Sequence, residues 1–483
     1  MRPPRVLFIE PPKDPWFVMG EYLSPPLGIL QLAAYLEQHD ENVKIEVLDC
    51  QAIDVDWRGL EKRIASVDPD VVVPSGLATC NAYITARAAE TAKTVNPDIL
   101  TVVGGQHFTA TADESLATYP EIDVVIRGEG EATLVDLFRA HRDGRPLAQV
   151  PGVSFTHDGS IYHTPDRPLL TNLDELPYPG YHFVADVIEK YQFESMADAS
   201  KRYALIEGSR GCTNNCSFCS QCVFWRRIWR SKSPKRIADE MQHVYETYGI
   251  SFQWLTDDNL GLGSHTRALC EELIHRGLSK ELMWFMQARC DDVAKHKKVL
   301  PTLRKAGLRW VLTGVESSSE STLEAFNKNL RPSDAQEAVR MLKRNDIFTQ
   351  AMFIIGERRD SAESIAELRA FADALDPDLA IFGILTPFPG TRLYNDALNN
   401  GWIEDHNWAH YDMTHAIMPT ETLSLRQVQE ELYTCYRSYY GSLPRLVKGL
   451  LTTNPLRRKT YRYFAKQNIM KELRDLFRRL PNG

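Results

Sequence analysis

The chain has 483 residues, 43% of them apolar and 25% charged, with nine cysteines and a net charge of −8. This balance suits a globular protein of two or three domains. It excludes a transmembrane chain, because no apolar run reaches the length of a membrane span, and Met-Arg-Pro-Pro-Arg is not a secretory leader. Residues 441–483 hold 11 Lys and Arg against 2 Asp and Glu, so this +9 tail leaves −17 for the rest, and an acidic body argues against nucleic acid as a ligand.

A first unit is expected over 1–140. Strands at 5–10, 43–48, 70–74, 99–103 and 124–126 alternate with helices at 27–36, 59–67, 83–95 and 111–119, and a final helix follows residue 131. Alternation at this pitch predicts an α/β fold with a doubly wound parallel sheet. Such sheets bind ligands at the carboxyl ends of their strands. Gly104-Gly105-Gln106 follows the fourth strand and Gly128-Glu129-Gly130-Glu131 the fifth, where backbone can approach a ligand closely. The residues alone also fit a generic nucleotide-binding or receiver-like domain.

Residues 141–200 read as a connector. They hold a hairpin at 150–162, turning at His157-Asp158-Gly159, and a Pro-rich crossing at Leu176-Pro-Tyr-Pro-Gly180. Over 201–392 a strand–helix unit repeats six times, with strands at 203–207, 252–256, 282–287, 309–313, 349–355 and 379–385. Ser233-Pro234 opens the first helix as N-cap and first-turn proline. The others fall near 264–276, 292–306, 319–326 with 333–345, and 361–374. Six units predict a partial parallel (β/α)6 barrel with its chemistry at the carboxyl rim. That rim collects Asp257-Asp258, Arg289, Gly314-Val315-Glu316-Ser317, Gly356-Glu357 and Pro387–Thr391.

Cys212, Cys216 and Cys219 sit in the loop after the first barrel strand, and Cys222 follows. Soft ligands on one loop indicate a metal or iron–sulfur site. Three thiolates can hold three corners of a [4Fe–4S] cube and leave one iron open. Four would serve a closed cluster or zinc, although zinc usually draws separated pairs. Thiols gathered in one loop point to a reducing, cytoplasmic setting. Residues 393–483 are expected to be helical, with a Tyr-rich stretch at 428–440 as a lid over the substrate side. A last basic helix at 456–480 carries Phe464, Met470, Leu473, Phe477 and Leu480 as its apolar stripe.

Cys212-Thr-Asn-Asn-Cys216-Ser-Phe218-Cys219 resembles the signature of radical S-adenosylmethionine (SAM) enzymes. The resemblance implies a [4Fe–4S] cluster on Cys212, Cys216 and Cys219, with the open iron chelating SAM. By the same resemblance SAM would meet Phe218, Asp257, Asp258, Arg289, Glu316, Ser317 and Gly356; the common Gly-Gly-Glu after the second strand is missing. Ser75-Gly76-Leu77, Gly104-Gly105-Gln106 and Gly128-Glu129-Gly130 resemble the cobalamin-binding domains fused to such barrels. The family's Asp-x-His-x-x-Gly loop here keeps Asp14 but places Trp16 where the cobalt-ligating histidine would fall. An indole has a donor and no lone pair, which implies a cobalt without a strong lower ligand. The Cys-Ser-Gln run ending in Phe224-Trp225-Arg226 is similar to that of the anaerobic magnesium-protoporphyrin ester cyclase group.

The resemblance therefore implies a class B, cobalamin-dependent radical SAM C-methyltransferase. A methyl group would pass from SAM through methylcobalamin to an unactivated carbon, after the 5′-deoxyadenosyl radical takes its hydrogen. The substrate would be a small molecule or a protein residue, such as a glutamine of methyl-coenzyme M reductase. An external electron donor such as ferredoxin or flavodoxin would be needed, and no nucleic acid. No catalytic acid or base is assigned. The alternatives are an oxidative cyclase acting on a tetrapyrrole, and a non-catalytic corrin-binding sensor with a structural metal site.

Overall fold

The computed structural model describes residues 2–13, 23–76, 78–193, 202–463 and 465–466. Asp14, Trp16 and Leu77 lie outside the described residues, as does most of the helix expected at 456–480.

Five strands form the parallel part of the first sheet: β1 (Arg5–Glu10), β2 (Lys44–Asp49), β3 (Val71–Pro74), β4 (Leu100–Val103) and β5 (Val124–Ile126), in the order β2-β1-β3-β4-β5. Helices Leu27–His39 and Glu131–Arg142 pack together on one face, and Trp57–Val67 and Ala82–Val95 on the other. Burial on both faces explains why β3 reads as an unbroken apolar run with no alternation. β6 (Val153–His157) and β7 (Ser160–His163) then add antiparallel to β5. The hairpin expected in a connector over 141–200 thus extends the first sheet to seven strands.

The second sheet follows the cysteine-bearing segment. β8 (Tyr203–Ile206), β11 (Phe252–Leu255), β12 (Met283–Gln287), β13 (Leu308–Glu316), β14 (Phe348–Ile355) and β15 (Leu379–Ile384) are all parallel and lie in chain order. Two short strands, β9 (Ser209–Arg210) and β10 (Arg230–Ser231), pair antiparallel outside it. In helix Pro234–Tyr248, Ser233 Oγ accepts the Arg236 N–H at 3.2 Å, and Ile237, Met241 and Val244 are buried. Tyr203, Phe285, Trp310 and Phe348 share one cluster with Trp254 packed against it. These residues sit near the starts of the strands and fill that end of the barrel, which leaves chemistry to the opposite rim.

The sheet does not close, so β8 and β15 are edges whose backbone needs partners. Tyrosine hydroxyls supply them. Tyr181 Oη accepts from Leu205 N at 2.8 Å and donates to Leu205 O at 2.9 Å. On β15, Tyr440 Oη accepts from Ala380 N at 3.1 Å and donates to Ala380 O at 2.7 Å. Tyr436 does the same for Phe382, at 3.3 and 2.9 Å. The Tyr-rich helix, Leu425–Tyr440, is therefore an edge cover and not the expected lid over the substrate side. The C-terminal region is also less helical than expected, since a single turn, Trp408–His410, interrupts the stretch from Asn399 to Ser424. Among the described residues no helix is long and apolar enough to cross a membrane.

Candidate functional site

The thiol loop leaves the barrel between β9 and β10, where Arg210 pairs with Arg230 and Ser209 with Ser231. Gly211, at φ +85°, allows this close return; a Cβ there would lie 2.2 Å from Ile228 O. Three contacts pin the loop to the barrel. Ser217 N donates to Phe326 O at 2.9 Å, Asn327 Nδ2 to Asn215 O at 2.7 Å, and Leu393 N to Ser217 O at 3.0 Å. Phe218 packs edge-on against Phe326 with ring centres 5.1 Å apart.

Cys216 and Cys222 are buried, Cys212 and Cys219 half-buried, and all four are free thiols. Asn214 Nδ2 donates to Cys212 Sγ at 3.2 Å. Cys222 turns its thiol back on the loop, donating to Cys219 O at 2.9 Å. Among the described residues no three His, Cys, Asp or Glu side chains converge as metal ligands. The fit to an iron–sulfur cluster therefore rests on the donor set, three soft thiols carried by one loop. Burial pushes the Cys216 thiol up, opposed by the charges of Lys328 and Arg289.

Those cations belong to the rim. Lys328 Nζ meets Glu316 Oε1 at 2.5 Å, both side chains at or below 10% exposure. Glu316 stands at φ +63° at the end of β13. Arg289 Nη2 donates to Lys328 O at 2.7 Å and its Nε to Asp291 Oδ1 at 2.9 Å. Ser317 Oγ accepts from Ser319 N at 3.1 Å, and Gly356 N donates to Asp360 Oδ2 at 2.9 Å. Asp257 is 1% exposed and accepts from Gly208 N at 3.2 Å, at the stem of the thiol loop. Burial raises Asp257 and Asp258 to about 7 each, with Glu207 adding repulsion.

The first sheet presents its carboxyl rim to the same loop. Gly104 precedes helix Gly105–Ala110, and Gln106 Oε1 accepts from Ser220 Oγ at 2.9 Å. A cleft of about 190 Å³ runs between the rims, lined by Gln106, Thr109 and Gly128 on one side and Ser220, Val223 and Gly390 on the other. Gly128, at φ +76°, has nothing within 4 Å of where its Cβ would be. Ser75 stays on the rim, its N donating to Ile9 O at 2.8 Å and its O accepting from Thr85 Oγ1 at 2.7 Å.

Glu129, expected beside a corrin, is bonded to the stem of the thiol loop. Its Oε1 accepts from Arg210 at 2.8 Å and Arg230 at 2.9 Å, and its Oε2 accepts from Leu170 N at 2.6 Å. Glu131 takes a second Arg210 nitrogen at 2.6 Å, and Glu207 a third at 2.9 Å. Apart from Glu207, these side chains are at most 8% exposed. Buried carboxylates demand cationic partners, and here the partners come from the stem of the thiol loop. Glu129 and Glu131 of the Gly-Glu-Gly-Glu run thus clasp the two domains together. Lys328 went unassigned in the sequence; its one local sign is the flanking Asn327 and Asn329, both left-handed at φ +51° and +49°.

Residues 19–138 match the B12 binding domain model and residues 206–371 the Radical SAM superfamily model. An uncharacterized methyltransferase of Pyrococcus horikoshii is 31% identical over 453 residues, 93% of this chain and 95% of that one. An anaerobic magnesium-protoporphyrin IX monomethyl ester cyclase of Rubrivivax gelatinosus is 32% identical, over 90% of this chain and 77% of its own. In fold, the chain resembles a radical S-adenosylmethionine methyltransferase, TsrM, from Kitasatospora setae, solved with cobalamin and a [4Fe-4S] cluster bound. That likeness has a TM-score of 0.69 at 17% identity and covers 96% of this chain and 99% of that chain.

Proposed function

Since the chain belongs to the radical SAM superfamily, in the branch that carries a B12-binding domain, we propose that it is a class B C-methyltransferase moving a methyl group from SAM to an unactivated carbon. The observation that carries this reading is the face-to-face setting of two carboxyl rims, joined by Ser220–Gln106 and by the Arg210–Glu129–Arg230 clasp. When bound, the cluster and SAM supply a radical that removes hydrogen, while cobalamin supplies the methyl group.

The chain's own residues do the rest. Cys212, Cys216 and Cys219 would hold three irons, and the Cys222 thiol is committed to a loop carbonyl. Phe218, Glu316 and Ser317 would flank SAM, and Arg289 would offer a guanidinium to its carboxylate. Asp257 and Asp258 would support the loop stem and oppose a cation. Ser75, Gly104, Gly105, Gln106 and Gly128 would cradle the corrin. The clasp would hold the two rims at one spacing and keep water from the seam. A small ferredoxin- or flavodoxin-type donor would deliver electrons.

The test is anaerobic protein, reconstituted with iron, sulfide and cobalamin and given reductant, methyl-labelled SAM and a native extract. Mass spectrometry should find 5′-deoxyadenosine together with a product carrying the labelled methyl group. A second reading, oxidative ring closure on a tetrapyrrole, draws support from the 32% identity to the Rubrivivax gelatinosus cyclase. It requires 5′-deoxyadenosine and loss of substrate hydrogen with no label gained, and that outcome would replace methyl transfer. Absence of iron and sulfide would sink both and leave the corrin-binding sensor.

A further inference from the structure

Helix Leu443–Leu451 leaves an apolar stripe exposed. Leu443, Val447 and Leu451 recur every fourth residue on one stripe and are 68%, 45% and 78% exposed. Gly449 is buried against Tyr461, Leu446 and Leu450 are half-buried, and two cations tie the helix to the barrel. Arg445 Nη1 reaches Asp373 Oδ1 at 3.0 Å and its guanidinium lies 3.7 Å over the Tyr439 ring, while Lys448 Nζ meets Asp376 Oδ2 at 2.6 Å. An amphipathic helix normally buries its apolar residues; this one buries one apolar side and offers a second apolar stripe outward.

The charge around the stripe says what it faces. Residues 441–466 contain seven Lys and Arg and no Asp or Glu, in a chain of net charge −8. Arg445, Lys448 and Arg457 are matched by Asp373, Asp376 and Asp378 of the barrel. Arg458, Arg462 and Lys466 form no ion pair among the described residues, and Arg462 and Lys466 are exposed. An apolar ridge followed in the chain by cations with no ion pair among the described residues suits a surface that is apolar beneath and anionic on top. A second acidic protein would satisfy the cations but offers no reason for three aliphatic side chains in water. The helix is anchored through Asp373, in the last turn of helix Ala362–Leu375, and Asp376, in the turn before β15, and so at the end of the barrel opposite the thiol loop. Docking there leaves the cleft between the domains open.

We propose that helix Leu443–Leu451 and the basic segment after it dock this protein peripherally on an anionic phospholipid surface. Three aliphatic side chains would enter the interface, and the unmatched cations would lie against headgroup phosphates.

The test is co-sedimentation of the full chain with vesicles of phosphatidylcholine containing phosphatidylglycerol, against vesicles of phosphatidylcholine alone. Binding is expected to the anionic vesicles and to fall with added salt. A triple variant Leu443→Ser, Val447→Ser, Leu451→Ser should bind at least tenfold more weakly, with an unchanged melting temperature because the side chains are exposed. Arg462→Gln with Lys466→Gln should lose about fivefold per charge. Equal binding to both vesicle types, no binding to either, or undiminished binding by the triple variant would each overturn the proposal. So would a triple variant whose only change is from dimer to monomer, because a second copy would then cover the stripe.

Discussion

Arg210→Ala is the sharpest single perturbation of the seam. The guanidinium donates three charge-assisted hydrogen bonds, to Glu129, Glu131 and Glu207, at 2.6–2.9 Å. Removing it leaves Glu131 buried without its closest cation, while Glu129 keeps Arg230. Breaking a buried pair from one side costs about 3–5 kcal/mol. The sign of the pH dependence follows from Glu131. Burial pushes its carboxyl up, but Arg210 outweighs this and holds it below the usual value. In the native protein it therefore contributes stability that is present above the unfolded carboxylate pKa of about 4.3 and lost as pH falls through the depressed folded value. In the variant burial prevails, the folded pKa rises, and stability is lost as pH rises through it. Urea unfolding of both proteins at pH 8 and pH 5.5 reads the difference. The deficit should be about 3–5 kcal/mol at pH 8 and smaller by at least ~1 kcal/mol at pH 5.5. Combined with Glu131→Gln, a double-mutant cycle should give coupling of about 1–3 kcal/mol. A deficit below about 1 kcal/mol at pH 8, or one that does not move with pH, would refute the account of the clasp.

Three further outcomes are expected. Cys212→Ser, Cys216→Ser and Cys219→Ser should each abolish retention of iron and sulfide, whereas Cys222→Ala should keep both, because its thiol serves a carbonyl; iron loss in Cys222→Ala would place that sulfur on the cluster. Asp257, raised to about 7 by burial, favours the fold below the unfolded carboxylate pKa and progressively less as pH rises through 7. Asp257→Asn should therefore stabilise the protein by about 2–4 kcal/mol at pH 8 and by only about 1–2 kcal/mol at pH 5, and equal gains at both pH values would contradict the burial argument. Tyr440→Phe removes both bonds that satisfy Ala380 on the β15 edge and should cost about 1–3 kcal/mol, with faster aggregation on heating; a melting curve unchanged from the native protein would show that water serves that edge as well.

Much of the architecture is legible in the chain because it is periodic. Strands alternate with helices at a constant pitch, Ser233-Pro234 caps where a helix begins, and the thiols fall after the first barrel strand, so α/β class, barrel count and the rim follow from spacing alone. The three cysteines and the glycines after β4 and β5 are read the same way, the thiols as soft ligands gathered in one loop and the glycines as places where backbone can approach a ligand. What spacing cannot carry is which loop meets which. Arg210 finds Glu129 and Glu131 about eighty residues away, Lys328 finds Glu316 across helix Glu320–Ala325, and a helix that looks like a lid becomes the cover of an open edge. Those pairings are decided by burial. A carboxylate or a backbone N–H taken out of water accepts whatever partner the packed layers bring to it, and only the tertiary structure determines which one arrives.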